Sequence, residues 1–248
     1  MRAFVLTAVL GLVACATAGP EGADDDGITV IDAPGNQDPD GNNNPPVDAP
    51  PLPIDAPALQ TVTLTQSSTM TITAANTVSC NNGQAGGFLT AENSYYRVFH
   101  LPSLGIDRPF TVQRIDFGIE EATAPGGSQI VQARAYTLAG AFTTANLTPI
   151  AGNTITVPNQ SATVMQAPLS PTGIAPAGST LVIEVFIPDG EPSGNRFFLG
   201  SNTSPETGPG YLRAPECGAA QPSPIDSLVG GITPPPVVRI VMTVTGTY

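Results

Sequence analysis

From Thr61 onward the chain alternates apolar and polar residues in short runs, with turn residues every eight to twelve positions. Val62 and Leu64, then Met70 and Ile72, alternate with threonines. Further runs follow at Tyr95–Leu101, Phe110–Ile119, Gln129–Thr137, Thr154–Val157, Ser161–Ala167, Thr180–Ile187, Arg196–Leu199 and Val237–Thr245. A period of two with many β-branched residues predicts strands, and no stretch carries a helical stripe. Pro125-Gly126-Gly127, Pro176-Ala177-Gly178 and Pro188-Asp189-Gly190 punctuate the runs as turns. About ten short strands in one region predict an all-β domain over 59–248, a jelly-roll-like antiparallel β-sandwich.

Alternation also assigns faces. Ile115, Phe117 and Ile119 share one side of their strand, as do Leu181, Ile183, Val185 and Ile187, and Val238, Ile240, Met242 and Val244. These sets are the expected inter-sheet core, because one face of an antiparallel strand must be dry. Charges sit mid-strand elsewhere: Arg114, Asp116 and Glu120 share a side, and Arg97, Arg134, Glu184 and Arg239 occupy four other runs. Tyr95 and Phe99 flank Arg97 on its own side, and Tyr136 accompanies Arg134. Gathered on one sheet, aromatic plates beside forked donors would suit a glycan: rings stack on sugar C–H surfaces and charged groups hold hydroxyls. The plainer reading is a solvated sheet face with cross-strand ion pairs.

Catalytic chemistry has fewer supports. The single histidine, His100, alternates with Tyr96 and Val98, as a packed or edge residue would, and neither Gly-x-Ser-x-Gly nor His-Glu-x-x-His occurs. Asp116 with Glu120 or Glu184 could form a glycosidase carboxylate pair. Asp189, Glu191 and Asn195 could supply loop oxygens to calcium, and turn chemistry explains them equally. Otherwise no cofactor is expected.

Before residue 59 the texture differs. Met1-Arg2 is a short basic start, and Ala3 to Val13 is an eleven-residue run of apolar and small residues. Spanning a bilayer takes ~20 apolar residues, so this run fits a signal-peptide apolar region. Leu12-Val13-Ala14-Cys15 resembles the bacterial lipobox. That resemblance implies a signal peptide over 1–14 and a mature chain beginning at an acylated Cys15, held stably in a membrane by two or three acyl chains. Ala16, next in line, resembles a permissive signal for the outer membrane, with the domain facing periplasm or cell surface. The alternative is soluble secretion after cleavage between Ala18 and Gly19, behind a small-x-small site.

Residues 15–58 are expected to be a disordered tether, since Pro, Gly, Asn and Asp dominate and aromatics are absent. Residues 21–55 hold nine acids and no base, and an Ile/Val-Asp-Ala-Pro phrase recurs at 31–34, 47–50 and 54–57. Extended, ~40 residues reach on the order of 120 Å; as a flexible coil they average roughly 35 Å. Asp38-Pro39-Asp40-Gly41-Asn42 lacks the distal glutamate of a calcium loop and reads as solvated linker.

The net charge is −12, most of it in the tether. The chain has no lysine and no tryptophan, and no basic stripe exists to neutralise phosphates, which argues against a nucleic-acid partner. Of three cysteines, Cys80 and Cys217 can pair with each other, which leaves Cys15 as the odd thiol. Export favours that disulfide, with catalytic or metal-binding cysteines as the alternative.

Three passages, Cys80 to Ala122, Pro176 to Gly190 and Phe197 to Gly218, resemble an uncharacterised β-sandwich module of secreted bacterial proteins. In such chains the module looks like an accessory, adhesive or targeting part, and the resemblance carries no catalytic residue. The expectation is therefore a cell-envelope lipoprotein whose sandwich is a non-enzymatic binding module for glycan or protein. The alternatives are the glycan-cleaving enzyme and an envelope spacer without a specific ligand.

Overall fold

The computed structural model describes Phe4–Val5 and residues 58–83 and 88–248. Cys15 and the expected tether up to residue 57 lie outside the described residues, as does all of the expected leader but Phe4–Val5.

The strands are β1 (Phe4–Val5), β2 (Thr61–Thr65), β3 (Ser79–Cys80), β4 (Asn93–His100) and β5 (Phe110–Thr123). Next come β6 (Ser128–Leu138), β7 (Leu147–Pro158), β8 (Gln160–Ala175), β9 (Thr180–Ile187) and β10 (Arg196–Leu199). The last are β11 (Ser201–Asn202), β12 (Tyr211–Ala214), β13 (Ala219–Pro224), β14 (Arg239–Ile240) and β15 (Met242–Thr247). Among the described residues one short α-helix, α1 (Ile225–Val229), precedes β14.

The pairings are nested. β6 pairs with β7, β5 with β8, and β4 with β9, all antiparallel. A long hairpin folded over on itself gives this pattern, and it places β2–β15–β5–β8 in one sheet and β4–β9–β6–β7 in the other. This is the jelly-roll winding that the sequence led us to expect. β12 and β13 extend the second sheet beyond β4, and β10 pairs with the far end of β5 beside β15.

β5 shows how the sequence holds its register. Phe110 and Val112 are buried, and so are Ile115, Phe117 and Ile119, although the two sets differ in parity. A bulge between Val112 and Arg114 absorbs one residue, so both sets face the core. At Gly118 the strand changes neighbour from β15 to β10. Gly118 N–H donates to Val241 O (2.9 Å), Val241 N–H to Gly200 O (2.9 Å) and Gly200 N–H to Gly118 O (2.8 Å). A Cβ on Gly200 would lie 2.8 Å from the Gly118 carbonyl carbon, so this three-way backbone junction needs glycine there.

The junction explains two departures from the sequence pattern. The expected Val237–Thr245 strand is broken at Val241, where the chain leaves β11 and joins β5. Met70 and Ile72 form no strand. Their backbone is held instead by the Asn202 side chain, which donates to Thr69 O and Thr71 O, and Ile72 packs over Gly118. β7 and β8 run longer than their apolar patches, and β12, β13 and α1 carried no clear periodicity.

All three predicted core sets are buried in one cluster together with Phe110, Phe197 and Leu212. Cys80 and Cys217 form a disulfide with Cα atoms 5.8 Å apart, tying the start of the domain to the loop after β12. Such a bond belongs to an oxidising environment. Among the described residues no helix is long and apolar enough to cross a membrane.

Candidate functional site

The charged and aromatic residues that the sequence nominated for one ligand face occupy three places. The first is internal. Tyr95, Arg97 and Phe99 on β4 face Val185, Ile183 and Leu181 of β9, all buried. The Tyr95 hydroxyl donates to Val78 O (2.7 Å). The Arg97 side chain has no exposed surface; it donates to Gly208 O (2.7 Å) and Ile240 O and meets Glu206 Oε2 at 2.7 Å. Burial pulls the Arg97 pKa down and Glu206 opposes that. These three residues are therefore corrected from ligand contacts to core, because the register turns their side of β4 toward the opposite sheet. Arg239 stands near the same end, on Asp226 (2.6 Å) and Glu206 (3.5 Å), and joins no ligand face with Arg134.

The second place is the outer face of the β5 sheet. Arg114 holds Asp116 with two contacts, Nε to Oδ1 at 2.7 Å and Nη2 to Oδ2 at 3.0 Å. Glu120 accepts the Ala75 N–H (2.8 Å), and its burial pushes its carboxyl pKa up. Asp116 and Glu120 are four residues apart on one strand, ~13 Å between Cα atoms. Asp116 and Glu184 point away from each other on sheets ~10 Å apart. Glycosidase carboxyls stand only ~5–9.5 Å apart. Each of these carboxylates is engaged by a partner of its own, Asp116 by Arg114, Glu120 by the Ala75 N–H and Glu184 by Tyr136 and Arg134.

The Asp189 loop closes on itself: Asp189 Oδ1 accepts the Glu191 N–H (3.0 Å), and Asn195 N–H donates to Gly190 O (2.8 Å). Among the described residues no group of three or more His, Cys, Asp or Glu gathers as a metal site.

The third place is the outer face of the β4–β9–β6–β7 sheet, where register lines up five residues in a single transverse row. Tyr211 of β12 lies opposite Tyr96 of β4, Tyr96 opposite Glu184 of β9, Glu184 opposite Arg134 of β6, and Arg134 opposite Gly152 of β7. At ~4.8 Å per strand the row is roughly 19 Å long. Glu184 is its hub. Its Oε2 accepts the Tyr136 hydroxyl (2.6 Å) and Arg134 Nη1 (3.2 Å). Burial, with the Glu184 charge next, pushes the phenol pKa values of Tyr96 and Tyr136 well above their ordinary 10.0, so both phenols stay neutral.

Arg134 is held flat by three contacts. Nε (3.0 Å) and Nη2 both donate to Gln132 Oε1, and the guanidinium lies 4.1 Å over the Phe186 ring. A guanidinium has about five N–H donors, and three are used here. Its side chain is 31 % exposed while that of Glu184 is 3 % exposed. The free part faces a groove of about 660 Å³ lined by Gln132, Arg134 and Tyr136 of β6, Pro149–Thr154 of β7, and Ser170. Gly152 sits beside Arg134 with no side chain to fill it.

Arg134, Tyr136 and Glu184 are thus the nominated residues that the fold unites. Tyr96, Gln132, Gly152, Phe186 and Tyr211 are the members that sequence reasoning missed, with Phe142, whose ring packs edge-on against Tyr96 (5.5 Å between centroids) and Tyr211 (4.8 Å). Position two residues from Arg134 or Glu184 marked Gln132 and Phe186; nothing local marked Tyr211 or Phe142.

No family model and no curated protein matches the chain. Among solved structures it is similar to the clostridial cysteine protease Cwp84 after propeptide cleavage, with 12 % identity and a TM-score of 0.44. That match covers 64 % of this chain and 36 % of the protease chain, so the likeness spans about a third of that protein.

Proposed function

We propose that the chain is an exported envelope lipoprotein whose sandwich binds glycan in the groove beside Arg134, without cleaving it. The transverse row carries this reading. Its open part combines a half-exposed guanidinium with spare donors, the Tyr136 ring and the amides of Gln132 and Asn153 along a shallow trough. Sugars need this mixture: apolar ring faces meet aromatic surface, and hydroxyls meet planar, fixed hydrogen-bonding groups. Glu184 serves as a positioning residue beneath, since it orients Arg134 and Tyr136 from a buried position.

The lipobox-like leader, the acidic stretch after Cys15 and the disulfide support an anchored, outward-facing module. A lipid on Cys15 would hold it at the membrane, and a tether of ~40 residues would let it search on the order of 35 Å around that point. Mass spectrometry of the mature N-terminus is expected to find acylated Cys15; an unmodified peptide starting at Gly19 overturns the anchor.

The binding test is retention of the mature chain on immobilised linear glucan, xylan, chitin and polyuronate. We expect retention on one class and at least tenfold weaker retention of Arg134→Ala, the effect of losing a charged hydrogen bond. Equal retention of wild type and variant moves the site elsewhere, and no retention on any class rejects the glycan reading.

A further inference from the structure

We infer that the glycan held beside Arg134 is an acidic one, and that the groove recognises the carboxylate of a uronic acid unit. The inference rests on the glycan reading above and names its substrate class. Register lays the groove out along β6 and β7: Gln132 lies opposite Thr154, Arg134 opposite Gly152 and Tyr136 opposite Pro149. Its middle is a guanidinium beside a glycine, which places no side chain over it. An amide and a hydroxyl stand at one end, a phenol ring and a proline at the other. Among the described residues that line the groove, Arg134 carries the one charge and none is acidic.

The hydrogen bonds of Arg134 decide which ligand group fits. Gln132 Oε1 accepts from Nε and Nη2, and Glu184 Oε2 accepts from Nη1. A guanidinium has one N–H on Nε and a pair on each terminal nitrogen. One donor therefore remains on Nη1 and one on Nη2. A carboxylate sets two acceptors side by side and can take such neighbouring donors together. A sugar hydroxyl offers a single oxygen, and its own proton finds no acceptor on a guanidinium. The plane is already fixed over the Phe186 ring, so little freedom is lost on binding. Glu184 does not cancel the attraction. Its side chain is 3 % exposed against 31 % for Arg134, and the Tyr136 hydroxyl donates to the same oxygen that Arg134 meets. An anion in the groove touches the guanidinium directly, while the charge of Glu184 acts from below and from further away.

Removing the ligand's charge while keeping its sugars tests this. The mature protein is titrated at one ionic strength with polyuronate, with its methyl ester, and with the same polymer after reduction of its carboxyls to alcohols. Neutral glucan, xylan and chitin and a sulfated glucan complete the set. Affinity for the ester and the reduced polymer should be at least tenfold weaker than for polyuronate, the scale of a charged hydrogen bond. Arg134→Lys keeps the charge without the planar pair of donors, and should bind polyuronate severalfold more weakly than wild type. Should that variant not fold, the wild-type series decides alone. Equal affinity for acid, ester and reduced polymer, or binding to a neutral glycan only, overturns uronate recognition and leaves the glycan reading standing. Equal affinity for the sulfated glucan assigns the effect to charge in general and also overturns it. No binding to any polymer removes both.

Discussion

Arg97 and Arg134 stand mid-strand in one sheet, one β-strand apart, and the sequence around them looks alike: an aromatic two residues away and apolar neighbours on either side. The fold gives them opposite surroundings. Arg97 faces inward and spends its terminal nitrogens on Gly208 O, Ile240 O and Glu206, which fasten the 205–208 loop and β14 to β4. Arg134 faces outward, is steadied by Gln132 and Glu184, and retains donors toward a groove. A guanidinium whose partners are buried carbonyls is a clamp; one that keeps donors toward a groove is free to meet a ligand, the role proposed for Arg134. Burial and register decide between these uses, and residue type does not.

The sharpest way to break the comparison is Arg97→Ala. It takes the closer cation from Glu206, leaving Arg239 at 3.5 Å, and removes the guanidinium from Gly208 O and Ile240 O; breaking a buried pair costs about 3–5 kcal/mol. Urea unfolding should show a loss of that order, and Arg97→Ala with Glu206→Gln should regain part of it. A loss below about 1 kcal/mol means that water reaches the site and the clamp is not one. Glu184→Ala is expected to come second, at about 2 kcal/mol, since the carboxylate accepts charged and phenolic hydrogen bonds but Arg134 can turn to solvent. It should also weaken glycan retention, because Arg134 and Tyr136 lose their common support.

The two arginines also mark where sequence reading stops. Periodicity found the strands and most of the core: Ile115, Phe117 and Ile119 face inward, as do Leu181, Ile183, Val185 and Ile187. Cysteine arithmetic found the disulfide. Those inferences need only the side-chain period and a pairing count. Grouping charges into a face needs the register between strands far apart in sequence, and a bulge such as that after Val112 shifts it by one. Hence Arg134, Tyr136 and Glu184 proved neighbours, while Tyr95, Arg97 and Phe99 faced inward and Arg114 and Asp116 fell on the other sheet. Phe142 was out of reach for another reason: a loop residue's partner is set by where the loop folds back.

Tyr136→Phe sharpens the outward half of the comparison. Losing the 2.6 Å bond to Glu184 should cost about 1 kcal/mol near neutral pH. Its pH dependence is the more telling readout. The Tyr136 phenol pKa is raised in the folded protein, by burial first and the Glu184 charge second. Above the ordinary phenol value of 10.0, the unfolded chain releases that proton while the folded chain keeps it. The folded state then binds more protons, so stability present below that pH falls as pH rises through it. The variant should lose one proton's share of this alkaline slope in denaturation curves measured above pH 10; an unchanged slope means that the phenol is not held neutral.

Gly152→Leu carries the smallest expected change in stability and isolates the reading role most cleanly. Gly152 lies opposite Arg134, and a Cβ there meets Ala133 O at 3.5 Å and Arg134 Cγ at 3.8 Å, both ordinary contact distances. A strand position gains backbone rigidity when glycine is replaced, by about 0.5–1 kcal/mol, which offsets the exposure of a new apolar side chain. Unfolding midpoints should therefore stay within about 1 kcal/mol of wild type. The leucine nevertheless occupies the groove over the guanidinium while leaving Gln132, Glu184 and Tyr136 in place. If Arg134 reads a ligand there, retention on glycan falls as far as it does in Arg134→Ala, with the ion pair intact. If retention survives, Arg134 is a second clamp on the opposite side of the sheet, and the difference between the two arginines is one of exposure alone.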